Sequence, residues 1–130
     1  MKDILAKDIM IKKIFTINPK ERIALARLRM LRHGVGALPV IDEDGVLKGI
    51  ITLRDIDLAG PETSELFIED LMTKDLITSK EDTTLSEITE SMIKTGLQRI
   101  PIIDEDDRLV GFITQTVVIR SLNKLIKKGS

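Results

Sequence analysis

The feature that most limits what this chain can fold into is that it contains itself twice. Shifted by 62 residues, the sequence aligns with itself without a gap. DIMIKKIFT (8–16) falls on DLMTKDLIT (70–78), and ALPVIDEDGVLKGIIT (37–52) falls on RIPIIDEDDRLVGFIT (99–114). Between these blocks Met30 meets Met92 and Gly34 meets Gly96. Separated blocks held in one register mark a tandem duplication, so the fold must be two copies of one supersecondary unit. A unit of about 60 residues with three short strands does not bury both faces of its helices alone, which gives the duplication a physical reason.

Each copy has one coarse reading. In the first, ILAKDIM (4–10) is a short helical lead-in and IFTI (14–17) a β-rich piece. Asn18-Pro19 then interrupts the chain, because proline disfavours helix at the residue before it. KERIALARLRMLRH (20–33) is rich in helix formers, with Ile23, Ala26 and Met30 on one apolar line and Ala24, Leu28 and Leu31 on the next. Two adjacent lines make a wide buried face rather than a thin surface stripe, and Gly34 is placed to stop the helix. ALPVID (37–42) and VLKGIIT (46–52) read as strands around a turn at Glu43-Asp44-Gly45, and a further helix begins near Leu53. The second copy repeats the order: LFIEDLM, DLIT, a helix over 84–95, strands over 99–103 and 108–113, and a last helix from near Thr114 through 117–128. GPETSE (60–65) is the linker. The expected fold class is therefore α/β, two pseudo-symmetric β-α-β-β-α repeats over 4–59 and 66–125.

Composition removes most functional classes. The 130 residues hold no cysteine and a single histidine, so disulfide frameworks, thiolate metal sites and Ser-His-Asp catalysis lack raw material. Three phenylalanines, with no tryptophan or tyrosine, argue against a stacking platform for single-stranded nucleic acid. A net charge of −1 offers no general attraction to nucleic acid or anionic membrane. No apolar run approaches the roughly 20 residues a bilayer span needs. MKDILAKDIM carries acids and lacks the apolar core of a signal peptide, so the expected location is cytoplasmic.

The pattern helix, Gly-x-x-x-apolar-Pro-apolar-apolar-Asp, then apolar-x-Gly-apolar-apolar-Thr, resembles the CBS domain family, and its double occurrence resembles a stand-alone CBS pair, or Bateman module. Gly34, Leu38, Pro39, Val40, Asp42, Gly49, Ile51, Thr52 and Asp55 carry it in the first copy. Gly96, Ile100, Pro101, Ile102, Asp104, Gly111, Ile113 and Thr114 carry it in the second. The resemblance implies two motifs packed through their small sheets, with clefts that take an adenosine-type ligand. AMP, ADP, ATP, S-adenosylmethionine and a dinucleotide all remain open. In such sites a carboxylate of a Thr-x-x-Asp segment holds the ribose; here that segment is Thr52-Leu53-Arg54-Asp55. A carboxylate can accept hydrogen bonds from two vicinal hydroxyls, and an anion in a first helical turn meets a favourable dipole. The plainer reading of Asp55 is an ordinary acid at a helix start.

The second copy departs from this pattern. Val117 stands where Asp55 stood, so the second site, built from Arg99, Ile100, Pro101, Thr114 and Val117, is expected to be the weaker. By the same resemblance Arg99, two residues before Pro101, reaches phosphates held by the first copy, where Ala37 takes the equivalent place. A guanidinium suits that task, although a surface arginine over a strand end is the bland alternative. Arg54 is a lesser candidate for the same role. Val35, Gly36 and Ala37 are expected to line an adenine pocket, with Thr16, Leu38 and Pro39 as further walls; ordinary core and turn roles compete with this. Gly34-Val35-Gly36 follows a helix and lacks a third glycine, so it is no Rossmann fingerprint.

His33 at a helix end reads as a cap or surface residue. The acidic runs 42–44 and 104–107 read as solvated turns rather than calcium loops. The helix over 20–33 carries five basic residues, whereas its counterpart carries Asp82, Glu87 and Glu90 with only Lys94. Solvent decoration explains that contrast, and pairing between subunits is the functional alternative. The reading that follows is a non-enzymatic regulatory module that binds an adenosyl ligand mainly at Asp55, without catalytic cofactor or metal. A homodimer and a protein target regulated in trans are expected. A ligand-free interaction scaffold is the main rival; nucleic-acid binding through the basic helix stands behind it.

Overall fold

The computed structural model describes residues 3–129. Met1 and Lys2, the first two residues of the opening decapeptide, and Ser130 lie outside the described residues. The elements run α1 (Ala6–Ile9), α2 (Ile23–His33), β1 (Ala37–Ile41), β2 (Leu47–Thr52), α3 (Leu53–Ala59), α4 (Leu85–Thr95), β3 (Arg99–Ile103), β4 (Leu109–Thr114) and α5 (Gln115–Gly129). Short 3-10 turns at Pro61–Thr63 and Ile68–Asp70 occupy the linker and the second lead-in. Apart from the first strand of each repeat, this is the α/β order expected from the duplication.

The long helices form for the reasons their patterns give. In α2, Ile23, Ala26 and Met30 are buried, and in α4, Leu85, Ile88 and Met92 occupy the matching places. The wide buried face expected of α2 is corrected to this one line: Ala24, Leu28 and Leu31 are exposed, on the side of the helix turned away from the core of their unit. Both end on a glycine in the left-handed region, Gly34 at φ 65° and Gly96 at φ 71°. Each glycine N–H donates back to the methionine carbonyl of the last turn, Met30 or Met92. Thr84 adds an N-terminal cap to α4, its hydroxyl oxygen accepting from the Glu87 N–H at 3.2 Å.

The sheets are two antiparallel pairs, β1 with β2 and β3 with β4. Ala37 faces Thr52 and Pro39 faces Ile50; in the second pair Arg99 faces Thr114 and Pro101 faces Phe112. The register shifts at the same place in both, between Val40 and Ile41 and between Ile102 and Ile103. The expected first strand of each repeat is corrected. IFTI and DLIT form no strands; the contact shrinks to single parallel bridges, Ile17 to Val40 and Ser79 to Ile102. The Ile17 N–H donates to the Pro39 carbonyl at 3.1 Å, and the chain then turns away at Asn18-Pro19 before a second pair can form.

The compact units do not coincide with the repeats. One unit is Phe15–Leu76; the other joins the segment ending at Ile14 to the chain from Ile77 onward. Each lead-in therefore packs on the other repeat. In the 15–76 unit the Ile23 N–H donates to the Leu66 carbonyl at 2.9 Å, the Ile68 N–H to Glu21 at 2.9 Å, and Thr73 bridges Ile50. In the other unit the Leu85 N–H donates to Ile4 at 2.8 Å, the Ala6 N–H to Thr83 at 2.7 Å, and Ile11 bridges Phe112. A glycine makes each docking possible. A Cβ on Gly49 would stand 2.7 Å from the Thr73 carbonyl oxygen and 2.8 Å from Met72 Sδ; one on Gly111 would stand 2.7 Å from Met10 Cγ. Ile68 is fully buried in the 15–76 core and Ala6 in the other, so each core is completed by a borrowed residue.

Candidate functional site

The Thr-x-x-Asp segment sits where β2 runs straight into α3. Thr52 caps the helix: its hydroxyl oxygen accepts from the Asp55 N–H at 3.1 Å. The Leu53 N–H donates to the Gly36 carbonyl at 2.9 Å, and Ala37 pairs with Thr52 across the sheet. These links bring the helix start against the small run Val35-Gly36-Ala37. The Asp55 side chain is half-buried, and its carboxylate takes no hydrogen bond or ion pair from any described residue. A carboxylate held at a helix start with both oxygens unspent can receive two hydroxyl donors.

Of the expected ligand residues, Thr16, Val35, Gly36, Ala37, Leu38, Pro39, Thr52, Arg54 and Asp55 all lie in the 15–76 unit. Gly36 and Arg54 are exposed; Thr16, Val35, Thr52 and Asp55 are half-buried. Leu38 and Pro39 are fully buried, Leu38 within the core cluster, so they support the site from inside. Arg99 belongs to the other unit, with Ile100, Pro101, Thr114 and Val117. There the same frame recurs without the acid: the Thr114 hydroxyl accepts from the Val117 N–H at 3.2 Å, and the Gln115 N–H donates to the Gln98 carbonyl at 3.0 Å. Val117 packs against the core of its unit.

Two local contacts escaped the sequence reading. Arg29 Nη1 donates to the Thr16 carbonyl at 2.7 Å and fixes the segment entering Ile17. His33 stacks on Phe15 with ring centroids 3.9 Å apart and planes 9° from parallel. Both pairs join residues separated by more than a helical turn, and neither shows as a periodicity or motif. The acidic runs are turn braces. Asp42 Oδ1 accepts from the Asp44 and Val46 N–H groups at 2.9 and 3.0 Å; Asp104 Oδ1 accepts likewise from Asp106 and Arg108. The Val46 N–H chiefly, helped by Asp44 and Lys48, holds the Asp42 carboxyl below the usual carboxylate range. The Arg108 N–H does the same for Asp104.

Paired two-stranded units, each with a helix springing from a Thr-capped strand end and each finished by the other's lead-in, define a tandem α/β module. The CBS domain model matches residues 6–61 and 68–124, and the chain belongs to the CBS domain family. The chain is 34% identical over 115 residues to the inosine-5'-monophosphate dehydrogenase of Methanocaldococcus jannaschii, covering 88% of this chain but only 23% of that enzyme. It is 34% identical over 110 residues to the CBS domain-containing protein YhcV of Bacillus subtilis, covering 82% of this chain and 77% of that protein. Among solved structures it is similar to the CBS domain pair of protein MJ0100, in complex with 5'-methylthioadenosine and S-adenosyl-L-methionine. That match has a TM-score of 0.85 and 32% identity, and it covers 95% of this chain and 98% of that one.

Proposed function

We propose that the chain is a non-enzymatic regulatory module that binds an adenosyl ligand, with Asp55 holding the ribose hydroxyls. The observation that carries this is the unspent Asp55 carboxylate beside the exposed backbone of Gly36, at the start of a Thr52-capped helix. The MJ0100 domain pair, 32% identical, is bound to two adenosyl compounds, which supports the ligand class. Thr16, Val35 and Ala37 surround the base, and Arg54 supplies charge for a phosphate or carboxylate tail. The family resemblance assigns Arg99 the same task. At Val117 the ionised partner is missing, so the second site is weak or empty.

Signalling then takes the form of a population shift, which requires the ligand to prefer one conformation of the module over another. A homodimer belongs to this proposal. Leu28, Leu31 and Leu58 are exposed on α2 and α3, and Ile93 is 82% exposed on α4, more apolar helix surface than a lone chain needs. The test is thermal unfolding in the presence of S-adenosylmethionine, AMP or ATP. A ligand that binds only the native state raises the melting temperature by mass action. A rise with at least one of the three, absent in Asp55→Ala, is expected; no rise with any would favour the ligand-free scaffold.

A further inference from the structure

Helix α5 carries Arg120, Lys124, Lys127 and Lys128 and no acidic residue. Arg120, Lys124 and Lys128 recur every four residues, so they form one row along the helix, about 6 Å apart at 1.5 Å per residue. All three are exposed, and none makes an ion pair with any described residue. The row lines a groove of about 700 Å³ between α1 and α5, whose apolar side is made by Ile4, Ile9, Val117 and Leu125. Among the described residues one acid, Asp8, lines the groove, and its Oδ2 already accepts from the Leu5 N–H at 2.8 Å.

We infer that this groove is a docking site for an acidic amphipathic helix of a partner protein. Acids at every fourth position of such a helix have the same 6 Å spacing, about 6 Å per four residues, and meet the row of cations one to one. The apolar stripe beside them covers Ile9 and Leu125. The concave setting decides against a flat anionic bilayer, which a helix meets with a projecting apolar face. The apolar side and the absence of aromatic rings decide against nucleic acid, which is held by stacking as well as charge. The groove shares Val117 with the second, weaker site, but the inference uses neither Asp55 nor its surroundings and stands whether or not a ligand binds there.

The test is fluorescence anisotropy of the full chain with two labelled helical peptides. One carries Glu at i, i+4 and i+8 with leucines alongside; the other has Gln at those three positions. The Glu peptide is expected to bind about tenfold or more tighter than the Gln peptide, and to weaken as salt is raised. The variant R120E/K124E/K128E should lose about tenfold in affinity for the Glu peptide while keeping its melting temperature. Equal binding of the two peptides by the unmodified chain overturns the inference, and so does no binding of the Glu peptide. Co-sedimentation with phosphatidylglycerol vesicles, together with indifference to the Glu peptide, overturns it in favour of a membrane surface.

Discussion

At the scale of single residues, the two copies differ most tellingly where they are superposable. Asp55 and Val117 occupy the same position after a capping threonine, and their backbones are bonded alike. A charged hydrogen-bonding partner is worth about 1.5–3 kcal/mol, so Asp55→Ala should weaken adenosyl-ligand binding by about tenfold to a hundredfold. Val117→Asp supplies the missing acid in a first helical turn, where the helix dipole favours an anion at the expense of the valine's packing on the core, and should raise the number of ligands bound per chain; equilibrium dialysis counts them. A second pair concerns the hairpin turns. Gly45 at φ 84° has Asp107 at φ 61° as its counterpart, and Asp107 is the one described non-glycine residue with positive φ. Left-handed backbone costs an L-residue roughly 1 kcal/mol that glycine does not bear, partly offset by glycine's greater freedom when unfolded. Asp107→Gly should therefore raise the denaturation midpoint slightly, by up to about 1 kcal/mol in stability.

At the scale of elements, the exchanged lead-ins explain why one repeat alone is insufficient. Met72 crosses Gly49 and Met10 crosses Gly111, so each strand's glycine receives a methionine from the other repeat's lead-in. Adding a single methyl there forces the backbone or the sulfur to move. Gly49→Ala and Gly111→Ala should each cost about 1–3 kcal/mol in urea unfolding, the usual cost of overpacking. The turns give a pH dependence. Because Asp42 and Asp104 titrate below the usual carboxylate range when folded, their stabilisation is fully present above the unfolded value. It is lost as pH falls through the lowered folded values. Asp42→Asn with Asp104→Asn should flatten the acid limb of stability against pH while leaving neutral-pH folding intact.

Much of this was legible in the sequence, and what was not has identifiable causes. The helices, the hairpins and their glycine stops follow from periodicity and turn residues, which act within a few positions. IFTI looked like a strand because Ile14, Phe15 and Ile17 are good strand formers, yet only Ile17 finds a partner. The partner lies in β1, more than twenty residues on, and pattern alone does not count long-range bonds. The borrowed lead-ins were invisible for the same reason: the 62-residue repeat looks identical whether each copy packs on itself or on its twin. Asp55 was legible because the motif is; that its carboxylate is unspent, and that Arg29 anchors Thr16, depends on contacts between residues far apart in the chain.

At the scale of the whole molecule, the described residues contain no helix long and apolar enough to cross a membrane. The chain spans about a quarter of the dehydrogenases it matches, where a module of this kind is one part of a larger protein. Exposed apolar side chains on α2, α3 and α4 give the reason to expect self-association, so light scattering should return twice the mass of one chain. Replacing Leu28, Leu31 and Ile93 by Gln should return the single-chain mass.

The central claim is that one adenosyl ligand binds per chain through Asp55. Calorimetric titration of the unmodified chain and of Asp55→Ala with S-adenosylmethionine tests it most directly. About one site per chain, lost or weakened at least about tenfold in the variant, is the result expected from a charged hydrogen-bonding partner. Binding that Asp55→Ala leaves unchanged, or two equal sites per chain despite Val117, would contradict it.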